Sequence, residues 1–160
     1  MDITVVGAGG WGTALSCLLV RKQHRVTLWS WQSQHAAEML EQRENRSFLP
    51  GVPLPQELNI TCDLVAVSEA QLVLFAVPSA VMSGVAAQAA PLIAPSAILV
   101  NAAKGLAPRT YRRMSEVLAE LLPENPVCVL SGPSHAEEVA RCLPTVVCVA
   151  GNDAGACRRL

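Results

Sequence analysis

Short runs of consecutive apolar residues alternate along this chain with segments whose apolar positions recur every three or four residues. Residues 3–6 form a β-rich run that ends at Gly7, as a buried central strand would. Residues 13–21 follow with Ala14, Leu15, Leu18 and Leu19 on one helical face. A turn at His24 leads to a second strand over 25–29, and a helix is predicted over 34–43. Residues 48–55 hold three prolines and a glycine, which predicts a loop, with a short strand expected at 59–62. Residues 72–77 are wholly apolar and stop at Pro78, an alanine-rich helix is expected over 81–90, and a strand over 98–100. The pattern then predicts a helix over 109–122, a strand over 127–130, a short helical segment at 136–141 and a last strand over 145–150. Residues 154–160 read as the opening of a helix that the chain does not complete.

Strands that alternate with helices imply βαβ units. The fold class expected is therefore α/β, a doubly wound, mainly parallel sheet of Rossmann type over a single domain, 1–160. Hydrophobic residues make up 51% of the chain and charged residues 16%, which suits strands buried on both faces and argues against disorder. The formal net charge of −1 carries no electrostatic signature of nucleic-acid binding.

Six cysteines lie at 17, 62, 128, 142, 148 and 157, with no Cys-x-x-Cys pair. Cys17, Cys128 and Cys148 sit in apolar runs, so buried reduced thiols are expected, with no zinc site. Asp2 stands where a signal peptide would be positive, and glycines interrupt the apolar run behind it. No run approaches the length of a membrane span. A cytoplasmic protein is expected.

The first motif with chemistry is Gly7-Ala8-Gly9-Gly10-Trp11-Gly12, a G-x-G-x-x-G between a predicted strand and a predicted helix. Gly7 permits the tight turn, Gly9 lets the backbone approach a pyrophosphate, and Gly12 lets helix and strand pack closely. The helix N-terminus offers free N–H groups to phosphate. An NAD or NADP site is the expectation. The second strand ends at Trp29-Ser30-Trp31-Gln32, without the acid that usually bonds a ribose hydroxyl and without an arginine for a 2′-phosphate. Cofactor choice is open on these residues, leaning to NADP or dual use. Trp31 suits adenine stacking and plain packing alike.

Several segments together resemble the bacterial-type NAD(P)-dependent glycerol-3-phosphate dehydrogenases. They are the run from Gly7 to Leu15, residues 26–29, Asn45 with Phe48-Leu49-Pro50, Ala76-Val77-Pro78-Ser79, Lys104-Gly105-Leu106, and Ser131-Gly132-Pro133-Ser134-His135-Ala136-Glu137-Glu138-Val139 followed by Pro144-Thr145. The resemblance implies reversible hydride transfer between NAD(P)H and dihydroxyacetone phosphate, giving sn-glycerol 3-phosphate for glycerophospholipids. By position it implies cofactor contacts from Gly10, Trp11 and Ala136, and from Trp31 at a place often basic in the family. Lys104 would touch cofactor and substrate, and Gly132 and Ser134 the substrate. Because ligands of open α/β sheets bind beyond the carboxyl ends of the strands, Pro78-Ser79, Lys104 and residues 131–134 should line one crevice. An ammonium at Lys104 can attract an anion and polarise a carbonyl.

His135 is read as packing or a supporting residue, and His24 and His35 as ordinary turn and helix residues. Glu137 and Glu138 suit a helix N-terminus. The resemblance also implies a chain about twice as long, whose helical second domain carries the general acid–base lysine and the phosphate grip beyond Leu160. No catalytic residue is expected within these 160 residues, and a homodimer is left open for the full-length protein. Two other readings stay open: a module that binds dinucleotide without turnover, and a related dehydrogenase with another substrate.

Overall fold

The computed structural model describes residues 1–160. In chain order its elements are β1 (Asp2–Val6), α1 (Gly10–Arg21), β2 (Arg25–Trp29), α2 (Ser33–Gln42), β3 (Glu44–Asn45), β4 (Leu49–Pro53) and β5 (Asn59–Thr61), then β6 (Leu72–Phe75), α3 (Ser79–Ala89), β7 (Ile98–Asn101), α4 (Met114–Leu121), β8 (Val127–Ser131), α5 (Ala136–Ala140), β9 (Cys148–Gly151) and α6 (Ala154–Arg158). One-turn 3-10 helices occupy Leu64–Val67 and Ala90–Leu92. Seven strands form one sheet in the order β5-β2-β1-β6-β7-β8-β9. All its pairs are parallel except β8–β9. This is the doubly wound order of nucleotide-binding sheets with one antiparallel strand added, and the order reverses between β1 and β6.

The strand pleat sorts the core into two layers. Ile3 and Val5 of β1 point to one face with Leu28, Leu74 and Val100, where they meet Leu15 of α1 and Met39 of α2. Val6 points to the other face with Val73, Phe75 and Leu99, against Met82 and Ala86 of α3 and Leu118 of α4. Every residue of β6 and β7 is buried. That two-sided burial is why β6 and residues 98–100 of β7 read as unbroken apolar runs.

Three expected elements differ. Residues 48–55 are not a plain loop: β4 pairs antiparallel with β3. The Leu54 N–H donates to Arg43 O at 2.8 Å, and the exposed Pro50 and Pro53 sit where an edge strand tolerates missing donors. The helix expected from 109 begins only at Met114. The Ala107 N–H already donates to Arg112 O at 2.8 Å, and Arg109 and Tyr111 have left-handed φ of 67° and 53°. Glu116 then starts the helix by accepting from the Arg113 N–H at 2.8 Å.

The last strand is Cys148–Gly151 rather than 145–150, and it runs antiparallel to β8. The five residues of α5 rise only about 7 Å, against roughly 17 Å for a five-residue strand. The chain has not crossed the sheet when it turns, so β9 enters from the carboxyl end.

All six cysteines are free, and Cys148 is exposed rather than buried. Burial pushes the Cys17 thiol up to about 11. Burial and the neighbouring Cys157 push Cys128 up to about 12. Thiols so shifted stay protonated and unreactive near neutrality. No helix is long and apolar enough to cross a membrane.

Candidate dinucleotide and phosphate site

A cleft of about 1200 Å³ opens at the carboxyl ends of the parallel strands, across the point where strand order reverses. Residues 7–11 after β1 form its floor. Residues 30–32 after β2, 76–78 after β6, 102–104 after β7 and 134–136 after β8 form its rim, and α3 supplies a wall.

The glycine turn is built for a close backbone approach. Gly7 takes φ +119°, a conformation that L side chains rarely adopt. Gly9 precedes α1 in extended conformation, and nothing lies within 4 Å of where its Cβ would be. The Thr13 N–H is the first to bond back, to Gly9 O at 3.0 Å. Helix geometry leaves the amides of Gly10, Trp11 and Gly12 without helical partners. No acidic side chain stands in the first turn to neutralise them. Among the residues lining the cleft there is no carboxylate, and Lys104 is the only lysine or arginine. Its ammonium donates to Ser134 O at 3.4 Å, joining the rims after β7 and β8. Asn101 steadies the loop before it, accepting from the Ala103 N–H at 3.1 Å and donating to Ala103 O at 3.2 Å. Fixed dipoles and one cation without an opposing acid make a site for an anion of phosphate type.

Of the residues expected at the site, Gly7, Gly9, Gly10, Trp11, Trp31, Lys104, Ser134 and Ala136 line the cleft. Gly12 and Gly132 do not. Gly12 is sealed against Gly7 O, 1.9 Å from where a Cβ would stand, so its place is helix–strand packing. Gly132 is pressed against the Val146 carbonyl, 2.7 Å from its Cβ position. Ser79 and Ser131 also stay outside, while Pro78 lies inside. Trp31 is 75% exposed at the cleft edge, so its ring packs little against the rest of these 160 residues. His135 lines the cleft directly and precedes α5.

The sequence reading missed a buried polar chain beneath the floor. Asn45 is fully buried; its Nδ2 donates to Ala8 O at 2.9 Å and to Thr13 Oγ1 at 2.8 Å. Its Oδ1 accepts from the Phe48 N–H at 3.2 Å and lies 3.0 Å from His35 Nε2. The other ring nitrogen, Nδ1, is 3.1 Å from Ser30 Oγ. Asn45 thus ties the β3–β4 hairpin to the glycine turn. Substituting Asn45→Leu strands several buried partners at once and is expected to cost roughly 3 kcal/mol or more of stability. A denaturant titration checks this, and a loss below about 1 kcal/mol would mean that these groups find other partners.

A doubly wound sheet with an acid-free anion cleft at its switch point defines a dinucleotide-binding domain of the dehydrogenase type. The chain belongs to the family described as NAD-dependent glycerol-3-phosphate dehydrogenase N-terminus, whose model matches residues 2–157. A glycerol-3-phosphate dehydrogenase (NAD(P)+) of Pelotomaculum thermopropionicum is 47% identical over 152 residues, 92% of this chain and 44% of the relative. One of Rhodopseudomonas palustris strain HaA2 is 43% identical over 158 residues, 99% of this chain and 48% of the relative. The crystal structure of glycerol-3-phosphate dehydrogenase from Coxiella burnetii matches with a TM-score of 0.93 at 39% identity, over 99% of this chain and 49% of that one. The chain therefore spans about half the length of these relatives.

Proposed function

We propose that this chain is the dinucleotide-binding half of an enzyme that interconverts dihydroxyacetone phosphate and sn-glycerol 3-phosphate with NAD(P)H. The observation that carries the reading is Lys104, the single lysine or arginine lining an acid-free cleft that also contains the N-terminus of α1, where a pyrophosphate can be held. When bound, the nicotinamide supplies or accepts the hydride. The residues of the chain do the holding. The Gly9 backbone and the free amides of α1 receive the pyrophosphate, and Gly10, Trp11 and Ala136 surround it. Trp31 offers a flat apolar face for the adenine. Lys104 attracts the anionic substrate and polarises its carbonyl, with Ser134 beside it. The product is a glycerophospholipid precursor, and the enzyme acts in the cytoplasm.

Trp11 and Trp31 both line the cleft, so their fluorescence reports its filling. Titration with NADH or NADPH is expected to quench it saturably. Absence of quenching by either dinucleotide overturns the reading. With neither acid nor arginine among residues 30–32, the two cofactors are expected to bind within about tenfold of each other, roughly 1.4 kcal/mol. Discrimination above about a hundredfold would reveal a group that grips or repels the 2′-phosphate.

A further inference from the structure

A dinucleotide with its pyrophosphate at the N-terminus of α1 and its nicotinamide toward Lys104 sends its adenosine the other way, past residues 30–32 after β2. The wall on that side is α3, which packs against the 3-10 turn Leu64–Val67, itself in contact with β2. Met82, Ala86 and Ala89 turn one face of α3 into the core. Val81, Gly84, Val85 and Gln88 all line the cleft, and their spacing of three, four and seven residues puts them on one face of the helix. Packing within the chain does not require a glycine at 84. It stands mid-helix, where glycine weakens the helix, and nothing lies within 4 Å of its Cβ position. The space beside it is open cleft between two valines, a shelf on which a flat ring can lie. Trp29, Ser30 and His35 also line the cleft, but their polar atoms are engaged: Trp29 Nε1 donates to Cys62 O at 3.1 Å, and Ser30 Oγ and His35 Nδ1 lie 3.1 Å apart. Gln32 belongs to the residues after β2, where the ribose is held. Gln88 is exposed at the end of the shelf, and no protein group bonds its amide.

We infer that Gln88 is a specificity-determining residue that reads the base of the cofactor as adenine. The inference rests on the dinucleotide reading of the cleft and deepens it. A glutamine amide carries an acceptor oxygen and a donor nitrogen side by side. The edge of adenine carries the complementary pair, the N6 amine as donor and N7 as acceptor, and the two fit as a bidentate pair. A base with oxygen at C6 presents two acceptors on that edge, so the amide oxygen would face another acceptor. The shelf of Val81, Gly84 and Val85 is apolar and holds either base alike. Discrimination therefore falls to Gln88, the only polar side chain that α3 turns into the cleft.

The test compares NADH with reduced nicotinamide hypoxanthine dinucleotide, which differs at the base edge by oxygen in place of the N6 amine. Affinities are read by tryptophan fluorescence on the native chain, on Gln88→Leu and on Gln32→Leu. The native chain is expected to favour NADH by about fivefold or more. Gln88→Leu keeps a good helix former at an exposed position, so the chain stays folded, as circular dichroism should confirm. It should bring the two affinities within about twofold of each other, by weakening NADH. A change in the general fit of the shelf moves both ligands alike and leaves the ratio untouched. Gln32→Leu should leave the preference for NADH in place. Binding of both ligands by the native chain without preference overturns the inference, and so does a preference that survives Gln88→Leu or disappears in Gln32→Leu. A native chain that binds neither dinucleotide removes the cleft reading and this inference with it, whereas binding without base preference removes only the role of Gln88.

Discussion

Replacing Gly9 by valine is expected to abolish dinucleotide binding while the chain stays folded. The fold has no stake in the missing side chain, since no atom lies within 4 Å of its Cβ position. The backbone at Gly9, with φ −72° and ψ 178°, is one that valine adopts readily. The branched side chain would instead stand in the open cleft above the free amides of α1, where the pyrophosphate must approach the main chain. A loss of about a hundredfold or more, roughly 2.7 kcal/mol, is expected. Gly12→Ala is the contrasting control. Its Cβ would lie 1.9 Å from Gly7 O, so one methyl group forces the first turn of α1 off the sheet. Calorimetric titration with circular dichroism should find Gly9→Val folded and unable to bind, and Gly12→Ala unstable. Native-like affinity in Gly9→Val would place the pyrophosphate elsewhere.

These two glycines lie three residues apart in one motif and have different duties, which marks the boundary of what the sequence makes legible. Strand–turn–helix context is local, so the G-x-G-x-x-G and the buried runs of β1, β6 and β7 could be read directly. Lys104 could be placed because any residue after a parallel strand falls at the ligand end of the sheet. The direction of β9 could not, because it depends on how far α5 carries the chain across the sheet. Residues 109–113 carry a helical pattern, yet the pattern is silent about the left-handed backbone at Arg109 and Tyr111. Asn45 was the hardest to read. It sits among Arg43, Glu44 and Arg46, as a solvated residue would, and its partners Thr13 and Ala8 lie 32 and 37 positions away. Burial of a polar side chain is a tertiary fact, and no local periodicity encodes it. The same holds for His35, whose neighbours on α2 suggest only an ordinary helix.

The 160-residue chain is expected to take up dinucleotide but to reduce dihydroxyacetone phosphate at least about a hundredfold more slowly than a full-length relative such as the Coxiella burnetii enzyme. Reduction of a ketone leaves negative charge on its oxygen, and a positioned acid must neutralise it; lacking one costs about 10²–10⁴ in rate. No carboxylic acid lines the cleft, and Lys104, its only ammonium, already donates to Ser134 O. Nor does any arginine line the cleft to grip the substrate phosphate. Binding energy from such a remote group is what aligns a reacting carbonyl, so its absence lowers the rate again. These 160 residues also leave Leu143, Val146 and Val147 exposed around the connection into β9, an apolar strip that favours association. The measurement is NADPH oxidation in the presence of dihydroxyacetone phosphate by the chain and by the full-length relative, at equal occupancy of the dinucleotide site. Size-exclusion chromatography alongside it separates a chemical deficit from loss of material to aggregates. Turnover by the chain within about tenfold of the relative would mean that Lys104 and the cleft rim suffice for proton delivery and phosphate binding, contrary to their geometry.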